Sequence, residues 1–250
     1  MLLSSALMTP IAGAAQTALT GASKWADSAA REIDDASDAG DLARLRGAKT
    51  LLDRALTAFP NDALLLHYKG YALHRESSLL EGLGQRDKLG DIFEEAEKAL
   101  EASIKVKPLP ETHAMLSSIH GRQIALQPWK AMLLGPRSGS DMTAAIELGP
   151  DNPRVWLLRG IGAFYTPQMF GGGEANTEKY LKKAEHSFAN DRPVAPAPSW
   201  GRAEVYAWLG QLYQKQNRNA EAVAAYNKAL EINPEMTWVK DVLLPAAQKR

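Results

Sequence analysis

The sequence has no cysteine, no excess of charge of either sign and no long apolar run after its first residues. Without cysteine the chain can form no disulfide, no thiolate metal site and no thiol nucleophile. The 29 basic and 29 acidic residues cancel, so the net charge favours neither nucleic acid nor an anionic membrane as the main partner. No segment reaches the ~20 consecutive apolar residues of a membrane span, and stable membrane insertion is therefore not expected.

The first fifteen residues form a short apolar stretch that ends in small residues. Ala12-Gly13-Ala14, or the overlapping Gly13-Ala14-Ala15, fits a small-x-small cleavage site, so residues 1–15 are predicted to be a signal peptide. No Lys or Arg precedes the stretch, and a frayed apolar helix is the alternative. A cleaved signal predicts that the mature protein is periplasmic or secreted from a bacterium.

Four segments of the sequence end in the same way and indicate a repeated helix. In each, a small residue stands five positions before a proline: Ala55 and Pro60, Ser103 and Pro108, Ala145 and Pro150, Ala229 and Pro234. Further small residues lie two helical turns earlier on the same face: Ala48, Ala96, Ser138 and Ala222. A neighbouring helix can approach such a face closely, and the proline ends the helix. Each segment is therefore predicted to be the second helix of a packed pair.

The first helix of each pair also carries a small residue at a matching place: Gly70, Ser118, Gly160 and Gly210. The last pair, residues 203–234, resembles the tetratricopeptide repeat most clearly. The positions that match are Tyr206, Leu209, Gly210, Tyr213, Ala222, Tyr226, Ala229 and Pro234. This resemblance implies an all-α solenoid of about four to five helix hairpins, with a concave face built mainly from the first helices.

The chain is predicted to have three parts. Residues 1–15 are the signal peptide, and residues 16–234 are the helical-repeat domain, which includes an N-terminal helix pair with its turn near residues 36–41. Residues 235–250 are predicted to be a C-terminal capping helix that Pro245 interrupts.

Matching positions recur at 48, 42 and 50 residues, whereas an unbroken repeat of this family has 34. The excess falls repeatedly between the two helices of a hairpin, which predicts enlarged intra-hairpin loops on one edge of the stack. Six apolar residues of these loops define what we call the loop rim: Leu79, Leu80, Trp129, Met132, Met169 and Phe170. Such side chains either pack on one another and on the hairpin ends or form an apolar surface for a partner.

Three consecutive glycines, residues 171–173, precede a lysine-rich helical pattern and suggest a phosphate-binding loop at first sight. However, Glu174 follows them in place of a lysine, and helices are predicted on both sides. We therefore interpret the glycines as a sharp structural turn after Pro167, anchored by Met169 and Phe170. The same stretch is similar to a loop of the periplasmic tetratricopeptide-like T-components of TRAP transporters.

No catalytic or metal-binding pattern is recognisable in the sequence. His67 and His74, like His113 and His120, are two turns apart, about 10 Å along a helix axis, too far to share a metal without a third element. No Ser or Thr stands in a nucleophile-elbow pattern. We therefore expect no enzyme activity, no metal and no cofactor.

The resemblance to tetratricopeptide stacks implies which first-helix residues line the concave groove. By register these are His67, Tyr71, His74, Arg75, Met115, Arg122, Arg154, Tyr165, Gln211 and Lys215. Arginines and aromatic rings together suit a peptide or a small anionic molecule. The sequence thus predicts a non-catalytic periplasmic adaptor that binds a protein or peptide through the groove or the loop rim. The alternative is a small-ligand-binding accessory protein of a solute transporter, with an enclosed cavity lined by Arg154, Tyr165 and Phe170.

Overall fold

The computed structural model describes residues 21–249, and the predicted signal peptide lies outside this range. The regular structure in the described range is helical. Its α-helices are α1 (Gly21–Asp38), α2 (Leu42–Ala58), α3 (Ala63–Gly82), α4 (Leu89–Val106), α5 (Pro110–Leu126), α6 (Ala131–Leu148), α7 (Pro153–Tyr165), α8 (Glu174–Phe188), α9 (Arg202–Lys215), α10 (Asn219–Ile232) and α11 (Leu244–Gln248). A π-helical segment, Trp238–Leu243, leads directly into α11.

Consecutive helices pack as hairpins that stack in chain order. The pairs are α1 with α2, α3 with α4, α5 with α6, α7 with α8, and α9 with α10. The predicted all-α solenoid of four to five hairpins is therefore confirmed. In the part of the chain that the structure describes, no helix is both long and apolar enough to cross a membrane.

Glycines let the two helices of a hairpin approach closely, as the sequence predicts. A Cβ atom added at Gly70 would lie 2.4 Å from Cδ2 of Leu100. At Gly160 and Gly210 the corresponding distances, to Leu181 and Tyr226, are 2.7 Å and 2.3 Å. A methyl group at these positions would have to displace the facing side chain, so glycine permits the closest packing.

Side-chain caps and prolines set the helix boundaries. Asp41 and Asp62 precede α2 and α3, and each side chain accepts hydrogen bonds from two backbone N–H groups of the first turn. Pro110 and Pro153 stand in the first turn of α5 and α7, where the missing N–H costs nothing. The first of these caps forms the turn between α1 and α2 that the sequence predicts near residues 36–41.

Within the second and third hairpins, the residues in excess of a 34-residue repeat lengthen the helices more than the loops. Helix α3 continues to Gly82 and α6 begins at Ala131, so the turns that follow α3 and α5 comprise only residues 83–88 and 127–130. Leu80 thereby belongs to a helical face and is completely buried in the core. The enlarged loops expected from the spacing are in large part extra helical turns.

The first two hairpins meet the last hairpin and the C-terminal segment across the inside of the stack. Arg75 on α3 forks onto the carboxylate of Glu204 on α9, with Nη1 donating to Oε2 at 2.8 Å. Asn233 donates to the carboxylate of Asp38 at 2.6 Å, and the Thr237 hydroxyl donates to the carbonyl of Asp38 at 2.9 Å. These contacts join the end of α1 to the C-terminal segment and fill the centre of the inner face.

Candidate functional site

Half of the predicted groove residues are buried. They are His67, Tyr71, His74, Met115 and Arg154. The indole of Trp200 stacks on Tyr71 with ring centroids 5.2 Å apart, and Arg75 lies over both rings. The prediction that these five side chains line an open groove is wrong. His67 and His74 contact α5, and the linker residue Trp200 covers Tyr71.

The buried polar side chains of this region have partners inside the protein. His67 and Thr112 are joined by a hydrogen bond of 2.9 Å, and Arg154 donates to Asp191 at 2.7 Å. Burial lowers the pKa of His67 to about 3, and the charge of Arg154 acts in the same direction, so the imidazole is neutral. These contacts give the buried groove residues a structural role.

Three carboxylates share the centre of the inner face with the guanidinium of Arg75. The Tyr71 hydroxyl donates to Asp34 at 2.7 Å, while Arg75 is engaged by Glu204. Burial raises the pKa of Asp34 to about 7 and that of Asp38 to about 6, and Glu204 pushes both in the same direction. The contact between the first and last hairpins therefore contains carboxyl groups that bind protons near neutral pH.

The inner face opens towards the ends of the first helices, where four aromatic rings form what we call the aromatic strip: Phe164, Tyr165, Trp208 and Trp238. The Trp208 ring centroid lies 5.9 Å from that of Tyr165 and 5.7 Å from those of Phe164 and Trp238. Tyr165 is 69% exposed and Trp238 is 40% exposed, while the other two rings are half-buried. The strip joins α7, α9 and the C-terminal segment into one apolar surface.

Charged side chains flank the aromatic strip. The ammonium of Lys215 lies 4.9 Å from the centroid of Phe164. On the other side, Arg122 donates to Glu81 at 2.7 Å, and both of these charges act on the Tyr165 hydroxyl. Of the predicted groove residues, Arg122, Tyr165 and Lys215 thus lie at the strip. Gln211 on α9 is half-buried, and its side-chain nitrogen lies inside the protein.

Sequence reasoning missed two members of the strip, Trp208 and Trp238. Trp208 stands one helical turn after Glu204 on the same face of α9, a signal that could have identified it. Trp238 follows the last repeat and has no repeat position from which its place could be inferred. The structure alone brings it against Trp208.

The loop rim is exposed at four of its six residues. Trp129, Met132, Met169 and Phe170 are exposed by 76%, 91%, 83% and 72%. Leu80 is buried and Leu79 packs partly against the core, so these two were wrongly assigned to an exposed rim. The four exposed side chains do not pack on the hairpin ends, which was the alternative arrangement.

The glycine turn between α7 and α8 satisfies its own backbone. Gly172 and Gly173 donate their N–H groups to the carbonyls of Pro167 and Ala163 at 3.2 Å and 2.9 Å. A Cβ atom at Gly172 would lie 1.9 Å from the carbonyl oxygen of Thr166, so this position requires glycine. The turn is structural, and its N–H groups are engaged within the protein instead of facing an anion.

The proposed anchoring of this turn by Met169 and Phe170 is wrong, because both side chains point into solvent. The turn is instead held by its internal backbone hydrogen bonds and by Asn176, which donates to the carbonyl of Gly171 at 3.1 Å.

A cleft of about 410 Å³ lies between α4, α5 and α6, next to a chain of titratable groups. Asp141 lies 3.3 Å from Nδ1 of both His113 and His120, and Glu97 lies 3.4 Å from Nε2 of His120. Burial disfavours the protonated form of His120 and lowers its pKa. The carboxylates of Asp141 and Glu97 have the larger combined effect and raise this pKa to about 9. The described residues contain no group of three or more such side chains with the arrangement of a metal site. The side chains of His113, His120, Asp141 and Glu97 together form an ionic link between the three helices.

Comparison with known proteins agrees with this geometry. Residues 203–236 match the family model of the tetratricopeptide repeat. The HusA haemophore from Porphyromonas gingivalis is similar in structure, with a TM-score of 0.62 and 20% identity over 79% of this chain and 96% of that chain. A thermophilic tetratricopeptide protein of Thermus thermophilus has a TM-score of 0.60 and 21% identity over 91% of this chain and 100% of that chain. No curated protein sequence matched the chain.

The fold and the stacked hairpins define a helical-repeat protein. Residues 203–236 match the tetratricopeptide repeat, and the similar solved structures share the stacked-hairpin fold of the rest of the chain. That fold is consistent with binding of protein partners and is typical of scaffolds without catalytic activity.

Proposed function

We propose that this protein is a non-catalytic adaptor, periplasmic or secreted, that binds a protein or peptide partner on the aromatic strip. The observation that carries the proposal is the exposure of Tyr165 and Trp238 in a continuous row of rings at the open part of the inner face. Tyrosine and tryptophan dominate binding energy at interfaces because they bury a large area at small entropic cost. The exposed loop rim offers a second contact surface on the neighbouring edge.

The test is capture of the partner from the periplasm of the host cell, followed by native mass spectrometry of the complex. The double substitution Tyr165→Ala with Trp238→Ala should abolish capture. The matched control is Trp25→Ala, because Trp25 is 41% exposed but lies on α1 away from the strip. Equal capture by the double variant and by the control would contradict a binding role for the strip.

The proposed location has its own test. Cell fractionation should place the protein in the periplasm or the medium, and the mass of the mature chain should correspond to removal of residues 1–15. A chain that retains these residues in the cytoplasm would contradict the location without touching the binding role.

A transporter-accessory protein that binds a small ligand is the second candidate, since aromatic rings also suit a planar molecule and one similar structure is named a haemophore. The cavity expected for this candidate is not formed by its three residues. Arg154 is buried against Asp191, whereas Tyr165 stands at the other end of α7, about 16 Å away along the axis, and Phe170 faces solvent. Titration with haemin separates the candidates, because a saturable spectral shift lost in Tyr165→Ala would favour the small ligand.

A further inference from the structure

We propose that Arg159, Lys179 and Lys183 form a second binding surface, which we call the cationic patch, for an acidic segment of a partner protein. The patch lies on the hairpin of α7 and α8 and shares no residue with the aromatic strip. The inference goes beyond the proposed function and does not depend on binding at the strip.

Two aromatic rings form the floor of the cationic patch. The rings of Trp156 on α7 and Tyr180 on α8 have centroids 5.9 Å apart, and Trp156 is only 7% exposed, so its ring has a fixed position. The guanidinium carbon of Arg159 lies 5.5 Å from the Trp156 centroid and 4.4 Å from the Tyr180 centroid. The ammonium nitrogen of Lys183 lies 3.7 Å from Trp156, and that of Lys179 lies 5.8 Å from Tyr180. Cation–π attraction thus holds three cations over two packed rings.

The three charges of the patch are close enough to repel one another. Because Arg159 and Lys183 share the Trp156 ring, and Arg159 and Lys179 share the Tyr180 ring, each pair is separated by at most about 10 Å, the Debye length at ~0.1 M salt. Lys179 and Lys183 are also one turn apart on one face of α8, where like charges destabilise a helix. An anionic partner would relieve this repulsion.

The protein does not neutralise the patch with carboxylates of its own. Within residues 21–249, none of the three cations has a carboxylate oxygen within 4.0 Å. The nearby carboxylates of α8 are engaged elsewhere, since Glu178 pairs with Arg218 and Glu185 pairs with Lys182. The patch is therefore a local excess of positive charge in a chain whose net charge is zero.

The patch also has donors to offer a ligand. Nη2 of Arg159 donates to the Tyr180 hydroxyl at 3.1 Å, and the other guanidinium nitrogens of this half-buried residue have no acceptor within residues 21–249 and are not shut off from solvent. A guanidinium held in one position can donate two parallel hydrogen bonds to a carboxylate. The exposed ammonium groups of Lys183, at the Trp156 end, and Lys179, at the Tyr180 end, can each pair with a further carboxylate.

The size of the patch favours a short acidic protein segment over a larger polyanion. Binding of nucleic acid by charge commonly takes about six to ten phosphate contacts, and polybasic membrane sites have about four to eight Lys or Arg. Three cations in a chain without net charge match instead the few carboxylates of an acidic peptide.

The test is fluorescence anisotropy of labelled synthetic peptides titrated with the full chain at low salt. One peptide alternates Asp and Glu with Ser, and the second, of equal length, has Asn and Gln in place of the acidic residues. The acidic peptide should bind saturably, and the amide peptide at least about tenfold more weakly. Binding of the acidic peptide should weaken as salt is added, because exposed charge pairs are screened.

Two double variants locate the site. Lys179→Gln with Lys183→Gln should weaken binding of the acidic peptide by at least about fivefold. The matched control is Lys182→Gln with Lys228→Gln, which removes the same formal charge from two exposed lysines that already have carboxylate partners. The control should bind within about twofold of the wild type. Melting temperatures equal to that of the wild type establish that neither variant is unfolded.

Equal weakening by both double variants would overturn the patch as the site. Equal binding of the amide peptide, or no saturable binding of the acidic one, would overturn the assignment of an acidic ligand. Tighter binding of a single-stranded oligonucleotide of the same charge, or of phosphatidylserine vesicles, would overturn the assignment to a protein segment. Tyr165→Ala should leave peptide binding unchanged, and a loss in that variant would contradict a surface separate from the strip. Capture of the cellular partner by the strip is measured independently, so either proposal can fail alone.

Discussion

Asp34→Asn is expected to stabilise the protein at alkaline pH and to remove part of its dependence on pH. Burial raises the pKa of Asp34 from 3.8 to about 7, so the folded state binds a proton that the unfolded state releases between these values. The free energy of unfolding of the wild type therefore falls as pH rises from about 4 through 7. Above pH 7 it stays lowered by the full cost of ionising the buried Asp34 carboxyl group. Asparagine keeps an acceptor for the Tyr71 hydroxyl and carries no charge, so it avoids this cost.

The size of the effect follows from the shift. Roughly three pKa units correspond to ~4 kcal/mol as an upper limit, and coupling to Asp38 and Glu204 reduces the share of Asp34 to about 2–4 kcal/mol. For a chain of this size the variant should melt about 5–15 °C higher at pH 8, with little difference at pH 4.5. Differential scanning fluorimetry at both values measures this.

The matched control for this experiment is Asp35→Asn. Asp35 is the next residue on α1, but its side chain is 69% exposed. Its replacement removes the same formal charge and should leave the pH dependence unchanged. Identical pH profiles for wild type and Asp34→Asn would refute the assignment of a buried, proton-binding carboxyl group to the contact between the first and last hairpins.

Three further predictions concern packing, the loop rim and the α4–α6 cleft. Gly70→Ala should cost about 1–3 kcal/mol in urea denaturation, because the new methyl would lie 2.4 Å from a buried leucine, whereas Gly47→Ala, with open space around it, should not destabilise. Trp129→Ala with Phe170→Ala should change the melting temperature by less than about 2 °C, since both rings are exposed; a large drop would mean that they pack on the protein. His120→Gln should destabilise most at pH 6–7 and least near pH 10. The charged form of His120, whose pKa is raised to about 9, stabilises the folded state fully below about pH 6.5, and this stabilisation is lost as pH rises through 9. A difference in the free energy of unfolding that stays constant across this range would contradict the ionic link.

The hairpins could be predicted from the sequence because their signals are local. Small residues two turns apart, followed by a proline, mark a second helix wherever it occurs, and the structure places Ala55, Ala145 and Ala229 in the core. The lengths of the loops were harder to infer, because spacing counts residues but does not tell a turn from a continued helix. Leu79 and Leu80 belong to an additional turn of α3 and are therefore not part of the exposed loop rim that the spacing predicted.

The filled centre of the inner face could not be predicted in the same way. Arg75 and Glu204 are 129 residues apart, and Asp38 and Thr237 are 199 residues apart. No local pattern reports how strongly successive hairpins curl, yet that curl decides whether an inner residue faces solvent or another hairpin. The register of the resembling repeats placed Tyr71 and Met115 in an open groove and could not show that both side chains are buried.

The closed centre also limits where a partner can bind. Inner-face side chains near the start of the first helices, such as His67 and Arg154, make internal hydrogen bonds, so a ligand there would have to break bonds that it could not all replace. At the other end of the same helices, Tyr165 meets no such competitor and its ring is already desolvated in part by Trp208. Binding at the strip therefore removes apolar surface from water without breaking an internal contact. On the proposed function, the curl that buries half of the expected groove would thus direct a partner to the other half.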